Sequence, residues 1–474
     1  MTLQKKSFYP WLIFSVTSVG TFMATLDSSI VNVALPKIAG NLNVSLSLVQ
    51  WVVSAYLLSI CCLLPLFGRL GDMLSRRLVY NTGLLAFTLG SIFCGVSGHI
   101  GLLIIARIAQ GVGAAMIMAN APAIISAAFP GPERGRALGL VGMIVALGSM
   151  TGPSIGGFLV DTFGWESIFF VNIPIGIVGF LASYFILVKD ERRQGEKFDY
   201  LGAILFTLGM TSFLLVVSHG EEWGWFTITV ITLAIVSLLS FSVFIYHEKH
   251  EPFPMIDLGL FNNWAFLSGN ITGLLSYMAV FSNTMLLPFY LSSILNLSPS
   301  QIGLLITPFP IVLIIVAPIS GYLSERVNPA LLSTIGLTAI MLGLIWIAML
   351  HTASALWEVA AGQAILGLGN GLFQSPNNNS VMSSVPPVKL GTAGGINSLV
   401  RSVGQVCGVA ISVSILQWKQ AGLLAGIYSP TLEQKANAFL TGYHTALGIG
   451  ASFAAIGALL SFSRRVHIKS AKNK

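Results

Sequence analysis

Two ionisable residues stand in stretches that otherwise have none. Asp27 is the one carboxylate in the apolar run from Trp11 to Leu35, and Arg107 is the one cation between 101 and 129. If both runs cross a membrane as helices, a rise of 1.5 Å per residue sets each group roughly 12–14 Å below the same surface. A lone charge at that depth costs at least ~2.5–3.5 kcal/mol, so each must face a partner or a cavity. Burial disfavours a charged carboxylate and a nearby guanidinium favours it. An acid held between the two can take up and release a proton near neutral pH. Asp27 is therefore a candidate proton carrier, with Arg107 modulating it. A static salt bridge is the competing reading.

Other polar residues share these runs. "FQSPNNNSVMSS" sets Gln374, Asn377 and Asn378 in one apolar stretch, and Asn32, Gln110 and Asn120 lie in others. Amides in hydrocarbon need partners or water, so they are candidates to line a substrate cavity. Phe22, Met23, Met116, Tyr277, Phe281 and Tyr290 are candidates for its apolar wall, although ordinary helix packing competes for each. "GSMTGPSIGG" sets Gly148, Gly152 and Gly156 at i, i+4 and i+8, with Gly157 beside them. That gives one smooth face where another helix packs closely. Pro153 removes a backbone donor and bends the helix. "GRLGDMLSRR" joins two apolar runs. Gly68 and Gly71 allow close approach. Asp72 is placed to cap the next helix or to pair with Arg76, Arg77 or Arg136, and Arg69 completes the basic cluster.

The elements that carry these residues follow from composition. The chain is 54% hydrophobic and 9% charged, against roughly a quarter charged in a soluble domain. Apolar runs of about 20 residues recur, each long enough to cross a bilayer as a helix. Fourteen are expected: 10–35, 48–67, 79–97, 101–129, 137–160, 167–188, 200–218, 226–246, 265–291, 301–323, 331–351, 357–385, 392–416 and 441–463. This is an all-α polytopic membrane protein. Of 24 Lys and Arg, 19 fall on the side of the termini, in segments such as "PERGR", "KDERRQGEK" and the tail "RRVHIKSAKNK". Three (Lys37, Lys419, Lys435) fall opposite. That asymmetry predicts cytoplasmic termini and explains the net +7 without nucleic acid. Cys61, Cys62, Cys94 and Cys407 lie in apolar runs without metal-ligand spacing. The seven histidines lie at span ends or in loops, with no nucleophile or metal constellation visible, and no phosphate loop is present. Neither an enzyme nor an ATP-driven pump is indicated.

The chain repeats itself. "PLFGRLGD" (65–72) matches "PISGYLSE" (318–325). "ARIAQGVGAAMIMANAPAIISAAFP" (106–130) aligns without gaps to "GQAILGLGNGLFQSPNNNSVMSSVP" (362–386). The match continues with Gly148 on Gly404 and Gly152 on Gly408, although Val409 replaces the proline. Spans 1–6 and 9–14 are thus parallel repeats, with two inserted spans between them. The expected domains are 1–188 (six helices), 189–262 (a linker with the two added helices) and 263–474 (six helices and a tail). In transporters built this way the substrate site lies between the halves near mid-membrane.

With these motifs in order, the chain resembles the major facilitator superfamily, in its fourteen-helix drug:proton antiporter branch. "LDSSIVNVALP", "GRLGDMLSRR", "RIAQGVGAA", "GSMTGPSIGGFL" and "WESIFFVNIPIG" carry the resemblance over nearly the whole chain. Glu166 stands where a basic residue is commoner in the last of them. The resemblance implies a proton-driven exporter of lipophilic drugs or toxic compounds in a bacterial cytoplasmic membrane. It would work by alternating access, without a cofactor, as a monomer, with small lipophilic substrates, protons and the bilayer as its partners. It implies that Asp27 and Arg107 couple protons and that the 68–77 loop latches the halves in one state. The last six spans hold no deep carboxylate, so neutral, zwitterionic or monovalent substrates are expected. Competing readings are a narrow-substrate exporter of a lipid, siderophore or antibiotic, and a non-transporting sensor.

Overall fold

The computed structural model describes residues 8–44, 46–129, 133–188, 198–252, 254–324, 326–386, 389–425 and 427–472. The basic linker 189–197, residues 1–7, Glu325 and the side chains of Arg134 and Arg136 lie outside the described set.

Short polar residues start many of the helices. Ser75, His99, Asp199, Asn263, Ser298 and Asn328 each accept a hydrogen bond from a free N–H in the first turn that follows, as N-caps do. The elements are α1 (Tyr9–Leu42), α2 (Leu46–Met73), α3 (Arg76–Gly95), α4 (Ile100–Ala128), α5 (Glu133–Phe163), α6 (Ser167–Phe170), α7 (Asn172–Ile186), α8 (Tyr200–Trp223), α9 (Ile228–Glu248), α10 (Trp264–Ser293), α11 (Pro299–Ile306), α12 (Pro308–Leu323), α13 (Pro329–Ala348), α14 (Leu356–Ser383), α15 (Leu390–Leu424) and α16 (Leu432–Lys472). Two crossings are broken by proline, which lacks the N–H that continues the ladder. Pro174 follows the break between α6 and α7, and Pro308 follows the break between α11 and α12. Taking α6–α7 and α11–α12 as one crossing each, the chain crosses fourteen times, so both ends reach the same face. We refer to it as the termini face and to the opposite one as the far face.

Thirteen crossings are long and apolar enough to span a membrane. The fourteenth, α14, is equally long but buries Gln363, Asn370, Gln374, Asn377 and Asn378. Several helices outrun the expected spans: α1 runs to Leu42, α2 to Met73, α8 to Trp223 and α16 from Leu432 to Lys472. The apolar stretch marks only the hydrocarbon-facing part of a helix, and its polar ends continue beyond.

The repeat reappears as packing. In the first half α3 crosses α4 where a Cβ on Gly113 would meet the backbone at Gly83 and Phe87. In the second, α13 crosses α14 where a Cβ on Gly369 would meet Gly336 and Ile340. Between the halves lies the α8–α9 hairpin. Ser237 Oγ donates to Gly209 O at 3.0 Å to join its two arms. His219, placed by its sequence at a span end, is 2% exposed. Its ring stacks on Trp51 of α2 at 4.2 Å and lies 5.2 Å from Trp223, and the two indoles are 6.5 Å from each other. That aromatic cluster fixes α8 to the first bundle.

Candidate functional site

Asp27 sits in the second half of α1 and is fully buried. Arg107, one turn of α4 above Gln110, donates through Nη1 to Asp27 Oδ2 and at 2.6 Å to Gln110 Oε1. Gln110 Nε2 donates to Asp27 Oδ1 at 2.9 Å and to Ser91 Oγ at 2.8 Å. Asn172 Nδ2 donates to the same Asp27 oxygen at 2.8 Å. Arg107 Nε reaches Val52 O at 2.8 Å, and its guanidinium carbon lies 4.0 Å from the centre of the Tyr56 ring. Every partner of Asp27 donates, so the arrangement is built around a carboxylate. Burying the two ions costs several kcal/mol each, which only such close geometry offsets.

Asn172 was not legible as a partner. It stands in "FFVNIPIG" at the Pro174 break, where the interrupted helix turns its side chain onto α1. The motif had been recognised, but its asparagine carried no signal of its own. Tyr56 and Ser91 were missed for the same reason: each is an unexceptional residue within an apolar run.

The small residues of α5 bind it to the helix that carries Asp27. A Cβ on Gly148 would lie 2.9 Å from Phe22 O. One on Gly152 would lie 2.8 Å from Ile30 N and one on Gly156 2.8 Å from Ile30 O. Gly157 is buried on the same helix, and Pro153 lies within it. The second half repeats the contact, with Gly404 against Leu274 O at 2.9 Å and Gly408 against Met278 of α10.

The termini-face loop reaches both halves. Asp72 pairs with Arg76 at 2.6 Å. It caps no helix: Ser75 caps α3. Arg77 donates to Tyr184 O. Gly71 abuts Asn120, whose amide donates to Phe67 O at 3.1 Å. Gly68, Arg69 and Asp72 line a small void of about 100 Å³ whose opposite wall is Thr392, Gly395 and Leu399 of α15.

The proposed cavity residues do not all come together. Asn32 and Phe281 line a void of about 70 Å³ between the halves, with Ser28, Gln50, Met285 and Gln405. Tyr277 accepts a hydrogen bond from Gln374 Nε2 and one from the buried Arg401. Arg401 meets no carboxylate among the described residues, and its Nε lacks a partner. Asn378 accepts from Asn397 at 3.0 Å. Asn377 accepts from Arg464 at 3.0 Å. Arg464, expected in a cytoplasmic tail, is 1% exposed inside the second bundle. Met23 is fully buried in the first bundle, Phe22 lies against α5, and Met116 packs on Gly83 of α3. Tyr290 stacks on Tyr443 at 5.2 Å and donates to His351 O at 2.8 Å, within the core of the second bundle. Sequence depth cannot tell the face of a helix toward the pathway from the face toward its own bundle.

Contacts bridge the halves at both ends. At the far face Ser154 Oγ donates to Gly303 O at 2.9 Å and lies 2.9 Å from Thr307 Oγ1, while Ser300 N donates to Asp161 at 3.2 Å. Toward the termini face Gly142 of α5 abuts Asn378 of α14, and Gly394 of α15 lies against Pro122 of α4.

Two broken helices, a repeated bundle and a buried Asp–Arg pair behind the interface mark the arrangement. The family model of the Major Facilitator Superfamily matches residues 17–273 and 269–473. The chain belongs to that superfamily. It is 35% identical over 452 residues to the riboflavin transporter RibZ of Clostridioides difficile, covering 95% of this chain and 96% of that protein. It is 34% identical over 425 residues to the multidrug resistance protein Stp of Mycobacterium tuberculosis, covering 89% and 78%. It is 30% identical over 426 residues to the multidrug transporter MdtP of Bacillus subtilis, covering 89% and 78%. It is a multi-pass membrane transporter with the major facilitator fold.

One cluster lies apart. His247 Nε2 lies 2.8 Å from Asp199 Oδ1 and 3.8 Å from Glu251, tying the two termini-face ends of the hairpin together. The three side-chain donor atoms lie within 4.8 Å of one another, a convergence with no signature in the spacing of the residues.

Proposed function

We propose that the protein is a proton-coupled exporter of lipophilic drugs or related toxic compounds. One observation carries this reading. Asp27 is buried behind the same stretch of α1 whose Ser28 and Asn32 line the void between the halves. A proton on Asp27 removes the charge that holds Arg107, and so changes how α1 is held against α4. Residues 1–188 and 263–474 are the two halves that rock against each other, and 189–262 is carried between them. The termini face is cytoplasmic, the membrane is the bacterial inner membrane, the unit is a monomer, and the proton gradient is the energy source.

The test is proton flux in vesicles reconstituted with wild type or Asp27→Asn. A panel of lipophilic cations and neutral drugs is added. Substrate-evoked flux in wild type that disappears in the variant supports the reading. Equal flux in both moves the coupling site elsewhere, and no flux with any compound withdraws drug export.

A second reading has its own support. The riboflavin transporter RibZ is matched over nearly its full length. The second half holds a donor without a partner at Arg401 Nε and an acceptor without one at Gln374 Oε1, both buried. A polar heterocycle with both kinds of group would satisfy the pair. Under this reading the substrate is riboflavin or a similar ring system. Riboflavin then drives counterflow in the same vesicles, and the drug panel does not.

A further inference from the structure

The largest cavity described lies away from the Asp27 pair and the void between the halves. It is a cleft of about 660 Å³ between α8, α10 and α15, toward the far face. Phe213, Val217, Leu274, Met278 and Ile411 give it an apolar wall. Trp225 and Trp418 stand at its mouth, 47% and 63% exposed, at the depth where indoles favour the membrane interface. The Trp225 ring folds back over Gly220, where a Cβ would lie 2.7 Å from it. One acid enters the cleft, Glu221. Ser414 hydrogen-bonds its carboxylate, but Oε2 is buried without a partner. Lys419 does not neutralise it: its ammonium sits on the Trp418 ring at 4.7 Å.

We infer that this cleft is a second binding site, for an amphipathic cation entering from the outer leaflet. A lipid acyl chain would match the wall but leave the Glu221 carboxylate without a countercharge, which is costly. A quaternary ammonium supplies that countercharge and gains the face of the Trp225 indole, while its alkyl chain covers the wall. This gives the inserted helix α8 a function, since it supplies Glu221 together with Phe213 and Val217 of the wall. The site is independent of the central one.

The test uses the full-length protein in phosphatidylcholine nanodiscs. The probe is an alkyltrimethylammonium brominated at its chain end, read by quenching of tryptophan fluorescence. Saturable quenching is expected, and Trp225→Phe with Trp418→Phe removes most of it. Glu221→Gln weakens binding about tenfold, in line with loss of the one countercharge to a cation that has no N–H to donate. Two results overturn the inference. The neutral brominated alcohol quenches as strongly as the ammonium. Glu221→Gln leaves the affinity unchanged, in which case the cleft holds lipid chains.

Discussion

The Asp27–Arg107 pair makes a prediction whose size follows from its burial. Both side chains are fully buried and in direct contact. Removing one partner of such a pair strands the other charge, at a cost of about 3–5 kcal/mol. Replacing both with neutral groups of similar volume costs far less, because no charge then remains to be buried. Asp27→Asn and Arg107→Met should therefore each destabilise strongly, and the double variant should lose about 3 kcal/mol less than their sum. The two singles also differ. A stranded carboxylate can be neutralised by a proton, whereas a guanidinium keeps its charge. Lowering the pH should raise the stability of Arg107→Met itself, by neutralising its stranded acid, and should leave the stability of Asp27→Asn itself without a contribution from this site. The assay is reversible unfolding in mixed detergent micelles, followed by tryptophan fluorescence at several pH values. Strictly additive losses, or identical pH responses in the two singles, would show that the pair does not act as an ion pair.

Three further outcomes follow from the packing. Ser154→Cys with Thr307→Cys places two thiols where hydroxyls now lie 2.9 Å apart. Oxidative cross-linking should stop transport in vesicles and reductant should restore it; wild-type transport by the cross-linked carrier would remove the far-face contact from the cycle. Gly152→Leu drives a side chain into Ser29 and the Ile30 backbone and should cost about 1–3 kcal/mol and most transport. Gly40→Ala, with nothing within 4 Å of the added atom, is the control. His219→Ala removes the ring stacked on Trp51 and should cost about 0.5–1.5 kcal/mol beyond the lost area, measured as a lowered unfolding midpoint; an unchanged midpoint would mean the hairpin is held elsewhere.

Much of this was written in the sequence, but unevenly. Asp27 and Arg107 were legible because a charge in an apolar run is costly and their depths match. The partner Asn172 was not, because an asparagine beside a proline reads as a break and depth says nothing of azimuth. Arg464 was assigned to the cytoplasmic tail because it opens a basic run, yet α16 continues unbroken and turns that residue onto Thr272 at 2.8 Å. Charge counting treats a run of Arg and Lys as one block, while a helix distributes them around its axis. The same blindness separates Asn32, on the interface, from Tyr290, inside its own bundle. The glycines of α5 fared best, because their spacing of four defines a face by itself, and α1 packs against that face.

The position of α5 suggests how the proposed cycle is transmitted. This helix meets the second half at both ends, through Ser154 and Asp161 toward the far face and through Gly142 toward the termini face. Opening either end requires α5 to leave α11 or α14. It cannot do so independently of α1, because Gly148, Gly152 and Gly156 bring the backbones too close for sliding without a clash. In the proposed cycle the pair α1–α5 would move as one body. The bonds that Asp27 accepts from Arg107 and Gln110 of α4 and from Asn172 of α7 help hold α1 to the rest of its bundle, beside those that Tyr56 of α2 and Tyr80 of α3 donate to its backbone. Protonating Asp27 weakens all three bonds at once, since a neutral acid accepts less strongly than a carboxylate. Under the proposed proton coupling, the charge state of Asp27 would loosen the helix pair that meets the second half at both ends, and no signal need travel farther than the width of α1.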